Sequence, residues 1–179
     1  MINSHLILVS GPSRSGKSRW SEQLISTMLE VTYIATGAVA NDDKSWQLRL
    51  DEHKKRRPAH WKLIECTTNL PNIISELGQQ ENILLDSLGG FVLHRMNDDT
   101  NTWNDSQFKL ISALESRNTK TIVVIEQVGW GVVPVTMSGN IFKDRLGQLS
   151  QLLELKASES WLVVQGRAIN LKKISIEVP

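Results

Sequence analysis

Short β-branched runs alternate with helical patterns along the chain, which predicts an α/β domain built on a mostly parallel central sheet. Two further observations support that class. The run Leu6-Ile7-Leu8-Val9 leads into Gly11-Pro12-Ser13-Arg14-Ser15-Gly16-Lys17-Ser18, a glycine loop that opens a helix. The runs Asn82-Ile83-Leu84-Leu85-Asp86 and Thr121-Ile122-Val123-Val124-Ile125-Glu126 are continuously apolar and end in a carboxylate, as in strands buried on both faces. Parallel neighbours need crossover helices, so three layers are expected, with helices on both faces of the sheet.

In chain order, residues 6–9 form the first strand. Residues 18–30 form the helix after it, with Trp20, Leu24, Ile25, Met28 and Leu29 at helical spacing. Residues 31–35 read as a second strand, closed by Thr36-Gly37. Residues 42–55 carry Trp46, Leu50 and His53 three and four apart, a helix that Pro58 stops. A short strand is expected at 61–65 and a short helix at 70–77, ending at Gly78. The buried strands at 82–86 and 121–126 follow. A helix is expected at 141–156, a further buried strand at 161–164, and an edge strand at 172–178.

A chain of 179 residues is most economically one domain, spanning 1–179, with room for a sizeable core. Hydrophobic residues make up 40% and charged residues 22%, as in soluble globular proteins. The formal net charge of +1 gives no general attraction to nucleic acid or to membrane surfaces. The one cysteine, Cys66, excludes an internal disulfide framework and has no second thiol for a zinc site. With no signal-like N-terminus and no apolar stretch of membrane-spanning length, a cytoplasmic location is expected.

The glycine loop has the pattern of a P-loop, whose backbone N–H groups converge on nucleotide phosphates. Lys17 would reach the terminal phosphates, and Ser18 would offer its hydroxyl to Mg²⁺ at the helix N-terminus. In a parallel sheet, ligands bind beyond the carboxyl ends of the strands. That rule gathers Thr36, Asp86 and Glu126 around the same crevice. Asp86 is the expected acidic partner of Ser18 at the metal, its alternative being a helix N-cap.

The segment 49–61 is the second unusual feature: five cations, Arg49, Lys54, Lys55, Arg56 and Arg57, lie within nine residues. Such a run is ordinarily a solvated helix face. Here Arg49 and His53 are i,i+4 neighbours, and a neutral imidazole among cations is a good nucleophile toward phosphorus. His60 and His94 lack such surroundings and read as packing or surface residues. Gly129-Trp130-Gly131-Val132-Val133-Pro134, after the strand ending at Glu126, specifies a shaped loop near the same crevice.

In their order these motifs resemble the bifunctional adenosylcobinamide kinase/adenosylcobinamide-phosphate guanylyltransferase family of cobalamin biosynthesis. The resemblance runs from the glycine loop through Tyr33-Ile34-Ala35-Thr36, the His53-Lys54-x-x-Arg57-Pro58-x-x-Trp61 segment with Glu65 beyond it, and Leu84-Leu85-Asp86-Ser87-Leu88. It continues through Val128-Gly129-x-Gly131-Val132-Val133-Pro134 and Phe142-Lys143-Asp144-Arg145-Leu146-Gly147 to Leu162-Val163-Val164-x-Gly166.

It implies a RecA-like P-loop fold, a trimer, and two reactions: phosphorylation of adenosylcobinamide by ATP or GTP with Mg²⁺, then transfer of GMP from GTP through a histidine that matches His53. It also implies nucleotide contacts by the loop, Thr36, Arg49, Lys54, Arg57, Glu65 and Asp86. The chain departs from the family pattern at Glu126-Gln127, Asn140, Lys143 and Ser150, positions bearing on guanine or corrinoid recognition. Two other readings stand beside this one: a P-loop kinase of another small molecule with His53 structural, and a nucleotide-binding regulator without catalysis.

Overall fold

The computed structural model describes residues 5–37, 54–66, 68–131 and 136–178. In chain order these form β1 (Leu6–Gly11), α1 (Lys17–Ile25), β2 (Val31–Ala35), β3 (Lys62–Glu65), α2 (Leu70–Glu76), β4 (Asn82–Asp86) and α3 (Leu88–Leu93). Then come α4 (Thr100–Glu115), β5 (Thr121–Glu126), α5 (Met137–Glu154), β6 (Glu159–Val164), β7 (Arg167–Asn170) and α6 (Leu171–Ile174). The sheet has seven strands in the order β3-β2-β4-β5-β1-β6-β7. Its pairings are parallel except for β6–β7, which is antiparallel.

The continuous apolar runs are explained by two cores, one on each face. Leu6, Leu8, Ile34, Ile83, Leu85, Val123 and Ile125 point into a core covered by α2, α3, α4 and α5. The alternate residues Ile7, Val9, Val31, Tyr33, Leu84, Ile122 and Val124 point to the other face, where Ile25 of α1 meets them. Period-2 alternation therefore gives no polar face, because both faces are dry. The result is the three-layer α/β arrangement expected. Among the described residues no helix is long and apolar enough to cross a membrane.

Several boundaries differ from the sequence expectation. The first helix stops at Ile25, and Met28 packs against the core from the turn that follows. The third strand begins at Lys62, not Trp61, and the helix expected at 141–156 runs from Met137 to Glu154. The helix α4 has no counterpart in the sequence reading, because Thr100-Asn101-Thr102 are poor helix formers. Asp99 starts it by accepting the N–H groups of Asn101 and Thr102, both at 2.9 Å.

The edge strand expected at 172–178 lies instead at Arg167–Asn170. Gln165 (φ 52°) and Gly166 (φ 73°) form a left-handed two-residue turn that folds β7 straight back onto β6. Of the helix expected at 42–55, residues 42–53 lie outside the described residues, and 54–56 are helical.

Candidate active site

Gly11 ends β1 where only a glycine fits. A Cβ there would overlap the carbonyl oxygen of Val163 and stand 2.7 Å from Ser15 Oγ. The loop then curls through Arg14 (φ 57°) and Gly16 (φ 100°) into α1. Ser15 is buried, and its carbonyl accepts the N–H of Gly166 at 3.0 Å, so the β6–β7 turn braces the loop from behind. Its hydroxyl accepts the N–H of Lys17 at 3.3 Å. Lys17 is buried too, and its ammonium donates to the carbonyl of Pro12 at 3.2 Å. Ser13 and Arg14 are exposed, and Ser18 is half-buried in the first turn of α1. A cation under a glycine loop at a helix N-terminus is an anion-binding arrangement.

Asp86 ends β4 directly opposite Ala35, and Ala35 pairs on its other side with the exposed Glu65. The carboxylate of Asp86 accepts the hydroxyl of Tyr33 at 2.8 Å. Burial, reinforced by the charge of Asp86, pushes the Tyr33 phenol above its ordinary range, so it stays a proton donor. The guanidinium of Arg57 lies 4.5 Å from the centre of the Tyr33 ring. Its neighbour Arg56 donates to both carboxylate oxygens of Glu22 on α1, each at 3.2 Å. The basic run thus packs against α1 and β2, with Lys54 exposed. His53 and Arg49 lie outside the described residues.

Asp86 is not the cap of α3; that position belongs to Ser87. Thr36 is buried, and its hydroxyl accepts the N–H of Ser87 at 3.0 Å and donates to the Ser87 carbonyl. Glu126, at the end of β5, accepts the N–H of Gly89 at 3.0 Å and the hydroxyl of Ser87. A Cβ on Gly90 would overlap Thr36, and one on Gly89 would stand 2.7 Å from Glu126 Oε2. Thr36 and Glu126 therefore anchor the wall behind Asp86. The sequence reading placed Glu126 at the same crevice as Asp86. It had no role for Ser87, Gly89 or Gly90, although a glycine pair just past a strand-end carboxylate signals close backbone approach.

The loop on β1 and Asp86 on β4 stand at the same end of the sheet, separated by β5. Ser18 and Asp86 offer a hydroxyl and a carboxylate, hard oxygen donors of the kind magnesium takes together with phosphate oxygens and water. On donor chemistry, the residues present fit that ion. His60 and His94 are exposed, and Cys66 is buried, with its thiol raised by that burial. Of the segment 129–134, Gly129, Trp130 and Gly131 are exposed and residues 132–134 lie outside the described residues.

Residues 7–171 match the family described as cobinamide kinase / cobinamide phosphate guanyltransferase. The chain is 34% identical to the bifunctional adenosylcobalamin biosynthesis protein CobU of Salmonella typhimurium, over 93% of this chain and 99% of that one. It is 32% identical to the CobU protein of Escherichia coli K12, with the same coverage. It is also 32% identical to the bifunctional adenosylcobalamin biosynthesis protein CobP of Pseudomonas aeruginosa, over 92% of this chain and 96% of that one. A solved structure from Pyrococcus horikoshii OT3 superposes with a TM-score of 0.51 at 10% identity, over 96% of this chain and 87% of that one. At that identity the likeness concerns the fold alone.

Proposed function

The chain belongs to the cobinamide kinase / cobinamide phosphate guanyltransferase family, and from that premise we propose that it is an adenosylcobinamide kinase and adenosylcobinamide-phosphate guanylyltransferase of cobalamin biosynthesis. The observation that carries this reading is the family match over residues 7–171, which spans the braced glycine loop and the basic segment packed beside it.

In the first reaction the loop backbone and Lys17 hold the phosphates of ATP or GTP. The aminopropanol hydroxyl of adenosylcobinamide attacks the γ-phosphorus, and the nucleoside diphosphate leaves. Ser18 and Asp86 would hold Mg²⁺, which neutralises phosphate charge as it shifts toward the leaving oxygen. In the second reaction His53 attacks the α-phosphorus of GTP, a P–N bond forms and pyrophosphate departs. The phosphate of the corrinoid then displaces the imidazole and takes up GMP. Arg49, Lys54 and Arg57 stabilise the charge of pyrophosphate as it leaves. Glu65 completes the nucleotide-contacting set, while Thr36, buried with its hydroxyl engaged by Ser87, supports the site from behind Asp86. This reading includes a trimeric assembly and a cytoplasmic location.

The test uses GTP labelled at the α-phosphate, with Mg²⁺. The protein should acquire label and release pyrophosphate, and adenosylcobinamide phosphate should discharge it. A His53→Ala variant that labels as well as the parent chain overturns the covalent route.

A further inference from the structure

Tyr33 touches both halves of the proposed site, Asp86 through its hydroxyl and Arg57 through its ring. It is 6% exposed and packs in the apolar core under α1, where a phenylalanine would fill the same volume. A buried phenol needs a partner for its hydroxyl. The strand register explains the partner it finds. Tyr33 pairs with Leu84, while Asp86 pairs with Ala35, two residues further along. The phenol reaches its carboxylate diagonally across the sheet, past the small methyl of Ala35. A hydrogen bond to a carboxylate is charge-assisted and directional, so it selects one orientation of the Asp86 side chain. On the other side, Arg57 Nη1 is buried with no hydrogen-bond partner among the described residues, and the guanidinium is held there over the Tyr33 ring.

We propose that Tyr33 is a positioning residue that orients the Asp86 carboxylate toward the magnesium–nucleotide, with Arg57 clamping its ring. This inference rests on the nucleotide site of the proposed function, and not on the corrinoid reaction. Tyr33→Phe keeps the ring and the packing and removes only the donor.

Calorimetric affinities for GTP, in MgCl₂ and in EDTA, give the factor by which magnesium strengthens binding. Tyr33→Phe should shrink that factor about tenfold, the loss expected of a hydrogen bond to a charged group, and leave the affinity in EDTA unchanged. In an Asp86→Asn background the same substitution should change the factor no further. If Tyr33→Phe fails to fold, Tyr33→Met, which also lacks the donor, carries the same test and should shrink the factor in the same direction. An unchanged magnesium factor overturns the proposal, as does an equal loss of affinity in EDTA or an undiminished effect in the Asp86→Asn background. The two readings fail separately: magnesium-linked binding without turnover of adenosylcobinamide overturns the reaction and leaves the role of Tyr33 standing.

Discussion

Glu126 Oε2 accepts the backbone N–H of Gly89 at 3.0 Å, so the end of β5 caps the start of α3. The N-cap residue Ser87 gives the helix no side-chain bond; its hydroxyl donates to the same carboxylate instead. The connection after Asp86 is thus tied to the strand that stands between β4 and the glycine loop. In the same place Thr36 ties it to β2.

Glu126→Ala should destabilise the fold by about 1–3 kcal/mol, because it strips the partner from two donors. Gly89→Ala should cost a similar ~1–3 kcal/mol of overpacking, since its Cβ would stand 2.7 Å from Glu126 Oε2. The pair is expected to be non-additive: with the carboxylate already gone, the alanine at 89 has room. Urea unfolding of the two single variants and the double variant measures this coupling, and additive losses would refute the contact.

Gly11→Ala is expected to damage nucleotide binding and stability together. The obstacle is the backbone carbonyl of Val163, which cannot yield without shifting β6 against β1. Gly16→Ala meets no such wall, but at φ 100° a side chain costs about 1–2 kcal/mol. GTP affinity and melting temperature should therefore fall further for Gly11→Ala than for Gly16→Ala. The opposite order would show that backbone strain, not the Val163 contact, governs the loop.

Those two glycines mark how far the sequence could be read. The loop pattern, the buried strands at 82–86 and 121–126, and the crevice at their carboxyl ends follow from local rules, because each is specified by adjacent residues. The brace behind the loop was not legible. It depends on Gly166, which meets Ser15 only after β6 and β7 have folded back. Asp86 stood out as a strand-end carboxylate, but its link to Tyr33 requires the register of β2 against β4. The helix α4 escaped because Asp99 and the core contacts of Trp103, Leu110 and Leu114 stabilise a sequence of weak intrinsic propensity.

Acid should loosen the far end of the sheet through Glu81. The Thr32 hydroxyl, foremost, holds the Glu81 carboxyl below the ordinary glutamate range, helped by the N–H of Gly78 at 3.1 Å and by Lys62 at 3.5 Å. A carboxyl lowered in the folded state contributes stability that is complete above its unfolded value, about 4.3. That contribution is lost as pH falls through the lower folded value. Asp99, lowered chiefly by the N–H of Thr102, acts in the same direction at the start of α4. Urea midpoints should thus fall more steeply with acid in the parent chain than in Glu81→Gln, and identical slopes would remove Glu81 from the account.

Arg117 should prove a stability residue with no part in nucleotide binding. It is 3% exposed, and its guanidinium donates to the carbonyls of Leu77 at 2.9 Å, Gly78 at 2.6 Å and Glu81 at 2.7 Å. These bonds tie the α2–β4 connection to the segment before β5, at the end of the sheet opposite the glycine loop. Arg117→Met strips the buried Leu77 carbonyl of this donor, while the Gly78 and Glu81 carbonyls keep the Glu81 N–H and the Thr119 hydroxyl, so the loss should be about 1–3 kcal/mol. Arg117→Lys should recover little of it, because a single ammonium cannot reproduce the planar fork. Both variants should unfold at lower urea, while GTP affinity under folding conditions stays at the parent value. A parallel drop in affinity would show that this clamp also shapes the site.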